Sequence, residues 1–167
     1  IAETKNGDLV APYFAGTKER NPEDCIWVSR KPKGSSSWTL PQMVADGVMN
    51  DSVRKACWTP VVYQIPDGDL VIYFKIGNKV SDWTGWMVRS KDGGKTWSKR
   101  MPLQQDFLGP VKNKPVLSKG RLIAPTSIES NGWRLYFEYS DDMGKTWKRP
   151  PYVATDSIMQ DGKMRIK

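Results

Sequence analysis

Short apolar runs, separated by polar stretches that Gly and Pro punctuate, set the pattern of this chain. Leu9–Phe14, Pro60–Tyr63, Leu70–Phe74, Trp86–Arg89 and Trp133–Tyr139 are rich in β-branched and aromatic residues and predict strands. No segment reads as a helix of ten residues or more. Twelve Pro and fourteen Gly supply the breaks that an all-β chain needs.

The strands belong to a repeat. Ser90-Lys-Asp-Gly-Gly-Lys-Thr-Trp97 and Ser140-Asp-Asp-Met-Gly-Lys-Thr-Trp147 carry Ser, Asp, Gly, Lys, Thr and Trp in register, 50 residues apart. A decayed copy stands upstream at Ser29–Trp38, stretched by two residues and lacking the Asp. A second element keeps step with the first. Asn6-Gly7, Asp67-Gly68, Lys119-Gly120 and Asp161-Gly162 each lead into a strand and predict tight hairpin turns. A period near 50 with four strands per unit predicts β-propeller blades. The blades are expected at about 1–42, 57–103 and 113–153, with the start of a fourth at about 156–167.

The repeated motif has a mechanical reading. Gly94 and Gly144 permit a left-handed turn, and the carboxylates of Asp92 and Asp142 accept backbone N–H groups inside it. Trp97 and Trp147 then fill the wedge between neighbouring blades. Ser90 and Ser140 complete the set, which is expected to be structural; no metal site is expected here or elsewhere.

Strand parity sorts the connections into two faces. The Gly turns and the repeated motifs share one face. Loops 15–25, 75–86 and 125–133 and crossovers 42–58 and 104–114 share the other. Long loops on a rigid scaffold are where binding chemistry is expected.

Composition narrows the chemistry. There is no His, so a histidine base and histidine metal ligands are excluded. The formal charge of +8 is scattered without a basic block, which suits an anionic ligand or a plain solvated surface and does not indicate a nucleic-acid partner. No apolar run is long enough to span a membrane, and no signal peptide is visible. Cys25 and Cys57 have neither metal-ligand nor disulfide-scaffold spacing and read as buried free thiols, with one bridge as the alternative.

The pattern Ser-x-Asp-x-Gly-x-Thr-Trp resembles the Asp-box (BNR-repeat) β-propellers, above all the sialidase-like superfamily. Phe14–Glu19, Cys25–Arg30, Cys57–Pro60 and Gly109–Pro115 are similar to a bacterial, exo-sialidase-like branch. The resemblance implies a six-bladed ring, of which this chain is about half, and a glycoside hydrolase acting on an acidic or exo-terminal sugar without a cofactor. It also implies a protein that is secreted or periplasmic. The family's arginine cluster and tyrosine nucleophile fall on no residue of this sequence, so a non-catalytic propeller that binds glycan or protein is the alternative.

Site candidates follow from the same likeness. The family's acid/base carboxylate comes from the first-blade loop, where Glu23, then Asp24, then Glu19 compete, and solvated loop charges are the plain alternative. Lys18 and Asn21 on that loop are substrate-binding candidates. In the family motif Arg-Ile-Pro, the arginine stands two residues before proline at the cavity mouth. Trp58 and Asn113 hold that position here, flanked in the second case by Lys112 and Lys114. Trp83, with Trp86 beside it, is a candidate for stacking on a sugar ring, one of the two being expected in the core. An open ring also exposes strand edges and apolar flanks, which predicts either truncation or self-association.

Overall fold

The computed structural model describes residues 1–128, 134–151, 157–160 and 163–166. Antiparallel sheet dominates. The only helical element among the described residues is a 3-10 turn at Val80–Asp82, and none of their helices is long and apolar enough to cross a membrane. The first sheet runs in chain order through β1 (Ala2–Glu3), β2 (Leu9–Ala15), β3 (Cys25–Lys31) and β4 (Gln42–Ala45). A small hairpin follows, β5 (Val48–Asn50) and β6 (Val53–Arg54). The second sheet is β7 (Cys57–Gln64), β8 (Leu70–Ile76), β9 (Thr84–Ser90) and β10 (Met101–Pro102), again in chain order.

Three strands form the third sheet, β11 (Val116–Ser118), β12 (Arg121–Ile128) and β13 (Arg134–Ser140), with a single bridge from Tyr139 to Lys148 where a fourth begins. A separate pair closes the chain, β14 (Ser157–Gln160) and β15 (Lys163–Ile166). Trp133, loop residues 129–133 and the expected Asp161-Gly162 turn lie outside the described residues.

Strand β8 explains how the sheets stack. All seven of its residues are buried, because sheets cover both of its faces. Leu70, Ile72, Phe74 and Ile76 join Val10, Ile26 and Val28 in the core between the first and second sheets. Val71 and Tyr73 point the other way, into the core with Ala124 and Trp147 of the third-sheet region. A strand covered on both sides reads as a continuous apolar run, and Leu70–Ile76 does so except at Lys75.

The turns differ in detail. Lys119 and Gly120, both with positive φ (48° and 81°), make the expected two-residue hairpin turn. The earlier turns are one residue longer, closed by Thr4 N–H to the Asp8 carbonyl (2.8 Å) and Ile65 N–H to the Asp69 carbonyl (3.1 Å). The decayed motif is also displaced. Ser90 pairs with Leu70 and Ser140 with Leu122, whereas Leu9 pairs with Lys31. Lys31, and not Ser29, therefore holds the serine position in the first sheet. Counted from Lys31 the motif is not stretched at all, and Trp38 stands at the position of Trp97 and Trp147, since Thr39, Ser98 and Lys148 all bond the same strand position.

Candidate functional site

Both repeated motifs close the same way. Asp92 Oδ1 accepts from Lys95 N (3.0 Å), Thr96 N (2.9 Å) and Ser90 Oγ (2.8 Å), and Oδ2 accepts from Thr96 Oγ1 (2.6 Å). Asp142 does the same with Lys145 N, Thr146 N, Ser140 Oγ and Thr146 Oγ1 at 3.0, 2.8, 2.7 and 2.6 Å. Each serine Oγ also accepts from the glycine N–H, Gly94 or Gly144, at 2.7 Å. Desolvation acts to raise both carboxyls. The hydrogen bonds outweigh it, led by the threonine hydroxyl, and hold each at about 2. Four donors within the turn already meet each carboxylate, three on Oδ1 and one on Oδ2.

The motifs also seat one sheet on the next. A Cβ at Gly94 would lie 3.1 Å from Val10 Cγ2 of the first sheet, and one at Gly144 only 2.3 Å from Tyr73 Oη of the second. Trp97 packs against the first core, and Trp147 meets the Tyr73 ring edge-on at 5.7 Å.

At the opposite ends of the strands, the loops are bonded to one another. Cys57 N–H donates to the Asp24 carbonyl (2.9 Å), and Gly77 N–H to the Ala56 carbonyl (3.1 Å). Arg54, on β6, donates through Nε to the Pro22 carbonyl (2.8 Å) and through Nη2 to Cys25 Sγ (3.2 Å). Arg100 reaches from beside β10 to the Asp46 carboxylate and to the carbonyls of Asp46 and Val48. Loop 16–24, crossover 46–56 and loop 77–83 thus form one connected rim.

The first-loop candidates separate sharply. Asn21 shapes the loop, accepting from Glu23 N at 3.0 Å and donating to Thr17 Oγ1 at 3.3 Å. Glu23 is exposed and accepts from the Thr17 hydroxyl at 2.9 Å. Lys18 and Glu19 are exposed. Asp24 differs: it is 2% exposed, and its Oδ2 has no hydrogen-bond partner among the described residues. Its Oδ1 lies against Gly16, where an added Cβ would come within 2.3 Å. A buried carboxyl with an open acceptor is unusual unless something else meets it.

Two aromatic candidates are spent partly on packing. Trp58 is buried, its ring between Phe14 (6.3 Å) and Trp83 (5.6 Å), and its Nε1 donates to the Gly77 carbonyl at 2.7 Å. It packs into the wall of the rim, beside a β-bulge between Trp58 and Val61. Trp83 is half-buried, and Trp86 lies partly against the core under the Arg100 guanidinium at 5.2 Å.

Lys112, Asn113 and Lys114 are exposed. Lys112 stands on a recess of about 350 Å³ lined by Pro12, Tyr13, Phe14, Thr59, Pro60 and Val111. Thr59 at its edge has φ +40°, a rare backbone state for a β-branched residue, and its hydroxyl is buried without a partner among the described residues. Neither feature is visible in the sequence. A larger cleft of about 870 Å³ opens between the second and third sheets, walled by Trp83, Trp86, Phe107, Tyr136 and Arg149.

Buried charge is the other feature that sequence reasoning missed. Lys75 is wholly buried and donates to the Pro110 carbonyl at 2.7 Å; desolvation pulls its ammonium down to about 7, with Glu138 pulling back. A lysine inside an apolar run is the sequence signal that was available. Cys25 and Cys57 are both buried free thiols, and burial pushes Cys57 up to about 12, which keeps it protonated and inert.

Comparison with known proteins agrees with this architecture. The chain is 33% identical over 86 residues to a sialidase of Clostridium perfringens, covering 40% of this chain and 22% of that protein. In fold it is similar to the Hadza microbial sialidase Hz136, with a TM-score of 0.71 at 17% identity, over 92% of this chain and 37% of that one. It is also similar to Trypanosoma rangeli sialidase in complex with sialic acid, with a TM-score of 0.67 at 20% identity, over 96% of this chain and 32% of that one. The chain thus spans well under half the length of each of these relatives. Residues 7–161 match the model of the BNR repeat-like domain, and the chain belongs to that family, a member of the sialidase-like BNR-repeat superfamily.

Proposed function

We propose that this chain is about half of a six-bladed propeller, with blades at about 1–42, 57–103 and 113–153, in a secreted or periplasmic glycoside hydrolase acting on an acidic sugar. The observation that carries the reading is Asp24. A carboxyl that is 2% exposed, with one oxygen unpartnered among the described residues, sits on the first loop of the rim. An acid in such a place suits proton donation to a departing glycosidic oxygen. Lys112, exposed on the recess, supplies a cation for the sugar's acidic group. Glu23, Glu19 and Lys18 lie on the same loop, closer to solvent, and Asn113 and Lys114 contribute from the crossover next to Lys112. The order of the acid candidates therefore changes from the sequence reading, with Asp24 placed before Glu23.

Turnover of a chromogenic sialoside by the intact protein tests this. Asp24→Asn is expected to lower kcat by about 100-fold or more, the scale of a lost general acid, and Glu19→Gln to leave it near wild type. Full activity in Asp24→Asn refutes the assignment.

A second reading is a non-catalytic glycan binder. It is favoured by the Trp58 and Asn113 positions, where the family motif has arginine and this chain has a packed indole and an exposed amide. Sialoside binding without turnover in wild type distinguishes it.

A further inference from the structure

The crossover from the second to the third sheet carries Lys112 to the recess, and an unusual set of groups binds it just before that residue. The Gly109 N–H donates to Glu138 Oε2 at 2.6 Å, and the Leu108 N–H to Oε1 at 3.2 Å. The Gly109 carbonyl accepts from Thr126 Oγ1 at 3.0 Å, and the Pro110 carbonyl from Lys75 Nζ at 2.7 Å. Four polar backbone groups on three consecutive residues are therefore held by side chains, none of them local.

The holders come from two sheets. Lys75 is on β8, Thr126 on β12 and Glu138 on β13, and all three side chains are buried, Lys75 and Glu138 at 0% exposure. Arg149 fixes Glu138 from behind at 2.8 Å, its guanidinium lying over the rings of Tyr136 (4.5 Å) and Phe107 (5.1 Å).

Burying two opposite charges is costly, and an apolar pair of similar volume would pack these strands as well or better. Lys75 and Glu138 make no hydrogen bond to each other in this arrangement; Lys75 donates to the crossover backbone, and Glu138 divides its bonding between that backbone and Arg149. Gly109 fits the purpose, with φ +65° and no room for a Cβ, which would lie 2.9 Å from Leu103 Cδ1. Val111 is buried next, so Lys112 is the first residue to emerge, two residues beyond the last held carbonyl.

We infer that Lys75, Glu138 and Thr126 are positioning residues that clamp Leu108–Pro110 so that the Lys112 ammonium stands at the recess. This rests on the reading of that recess as the acidic-sugar site. The clamp acts through the backbone and does not touch the ligand itself.

Three variants of the intact protein, Glu138→Gln, Lys75→Met and Thr126→Val, test it by amide exchange and by titration with N-acetylneuraminic acid. Glu138→Gln is expected to raise exchange across residues 104–114 at least tenfold, leave residues 90–97 as protected as in wild type, and weaken sugar binding about tenfold. Lys112→Ala is expected to weaken binding equally with no change in loop exchange, which separates positioning from contact. Thr126→Val removes one bond and no charge, so it keeps the test open if Lys75→Met fails to fold. Unchanged loop exchange in both Glu138→Gln and Thr126→Val overturns the clamp, as does a loosened loop with undiminished affinity.

If wild type ignores the sugar, the reading of the recess fails separately. The acylation rate of Lys112, measured by peptide mapping, then decides the clamp. A changed rate in Glu138→Gln supports it, and an unchanged rate overturns it.

Discussion

The turn of the first sheet and the turns of the second and third solve one problem in two ways. In the repeated motifs, an aspartate within the turn gathers the turn's own N–H groups. The first sheet has no such aspartate. Asp8, from the hairpin beside it, reaches across instead and accepts from Lys33 N at 2.8 Å and from Arg30 at 2.7 Å. The Ser37 N–H, which stands where the Thr96 N–H does, goes to Ser35 Oγ at 3.1 Å, so the first turn closes with a serine hydroxyl and a carboxylate borrowed from the neighbouring hairpin. The tryptophans carry the same lesson. Trp147 is 2% exposed, wedged against the second sheet, while Trp38 at the matching position is 43% exposed with no described sheet beyond it. Leu40 and Met43 are also exposed nearby in sequence.

Glycine substitutions break the comparison most sharply. Gly144→Ala forces an L-residue to φ +84° and drives a Cβ to 2.3 Å from Tyr73 Oη; left-handed strain and overpacking together cost about 2–5 kcal/mol. Gly94→Ala has similar φ but meets Val10 at 3.1 Å, and costs about 1–2 kcal/mol. Chemical denaturation of both variants checks the order, and equal losses would show that the two motifs do not seat against their neighbours as described.

Removing the carboxylates comes next. Asp92→Ala and Asp142→Ala each strip an acceptor from two backbone N–H groups and a threonine hydroxyl, at about 1–3 kcal/mol. For a chain of this size that lowers Tm by several degrees, about 2–4 °C per kcal/mol. Asp8→Ala, which frees fewer donors, is expected to lower Tm less than either, and a larger fall would make the first-sheet turn the dominant one. Thermal melts followed by circular dichroism rank the three.

Acid gives the smallest effect. Asp92 and Asp142, ordinarily near 3.8, are held at about 2. The folded state thus favours the charged form, so the stability they contribute is complete above pH 3.8 and is lost as pH falls through about 2. Wild type is expected to lose Tm more steeply over that window than Asp92→Asn, whose uncharged amide does not titrate.

Much of the fold was legible because its signals are local. Gly turns, repeated Ser-x-Asp-x-Gly-x-Thr-Trp motifs and β-rich runs need only neighbouring residues, and they marked where each strand pair turns. Register was harder. By residue type Ser29 reads as the counterpart of Ser90, but the pairing gives that place to Lys31, which stands seven residues before Trp38 as Ser90 does before Trp97. Nothing in sequence ties Asp8, beside the Asn6-Gly7 turn, to Lys33, 25 residues on. The small hairpin β5–β6 lies within a crossover, and its own apolar residues, Val48, Met49 and Val53, are exposed and carry no core pattern.

The site was legible as a face and not as a set of atoms. Loop lengths and strand parity pointed to the loops that bond one another, but burial separates Asp24 from Glu23 and sinks Trp58 into packing. Burial depends on which loop covers which, and adjacent residues on one loop look equivalent until that is known. Lys75 and Glu138 escaped notice for the same reason, each being an ordinary charge in a strand until the crossover backbone is laid between them.

The division between a mechanical face and a binding face is tested most directly by titrating the isotopically labelled protein with N-acetylneuraminic acid and following its backbone amides by NMR. Shifts are expected to cluster in residues 16–24, 77–86 and 104–114, with residues 90–97 and 140–147 unmoved. Shifts confined to those two motifs, with the loops silent, would place the ligand on the wrong face and contradict the account.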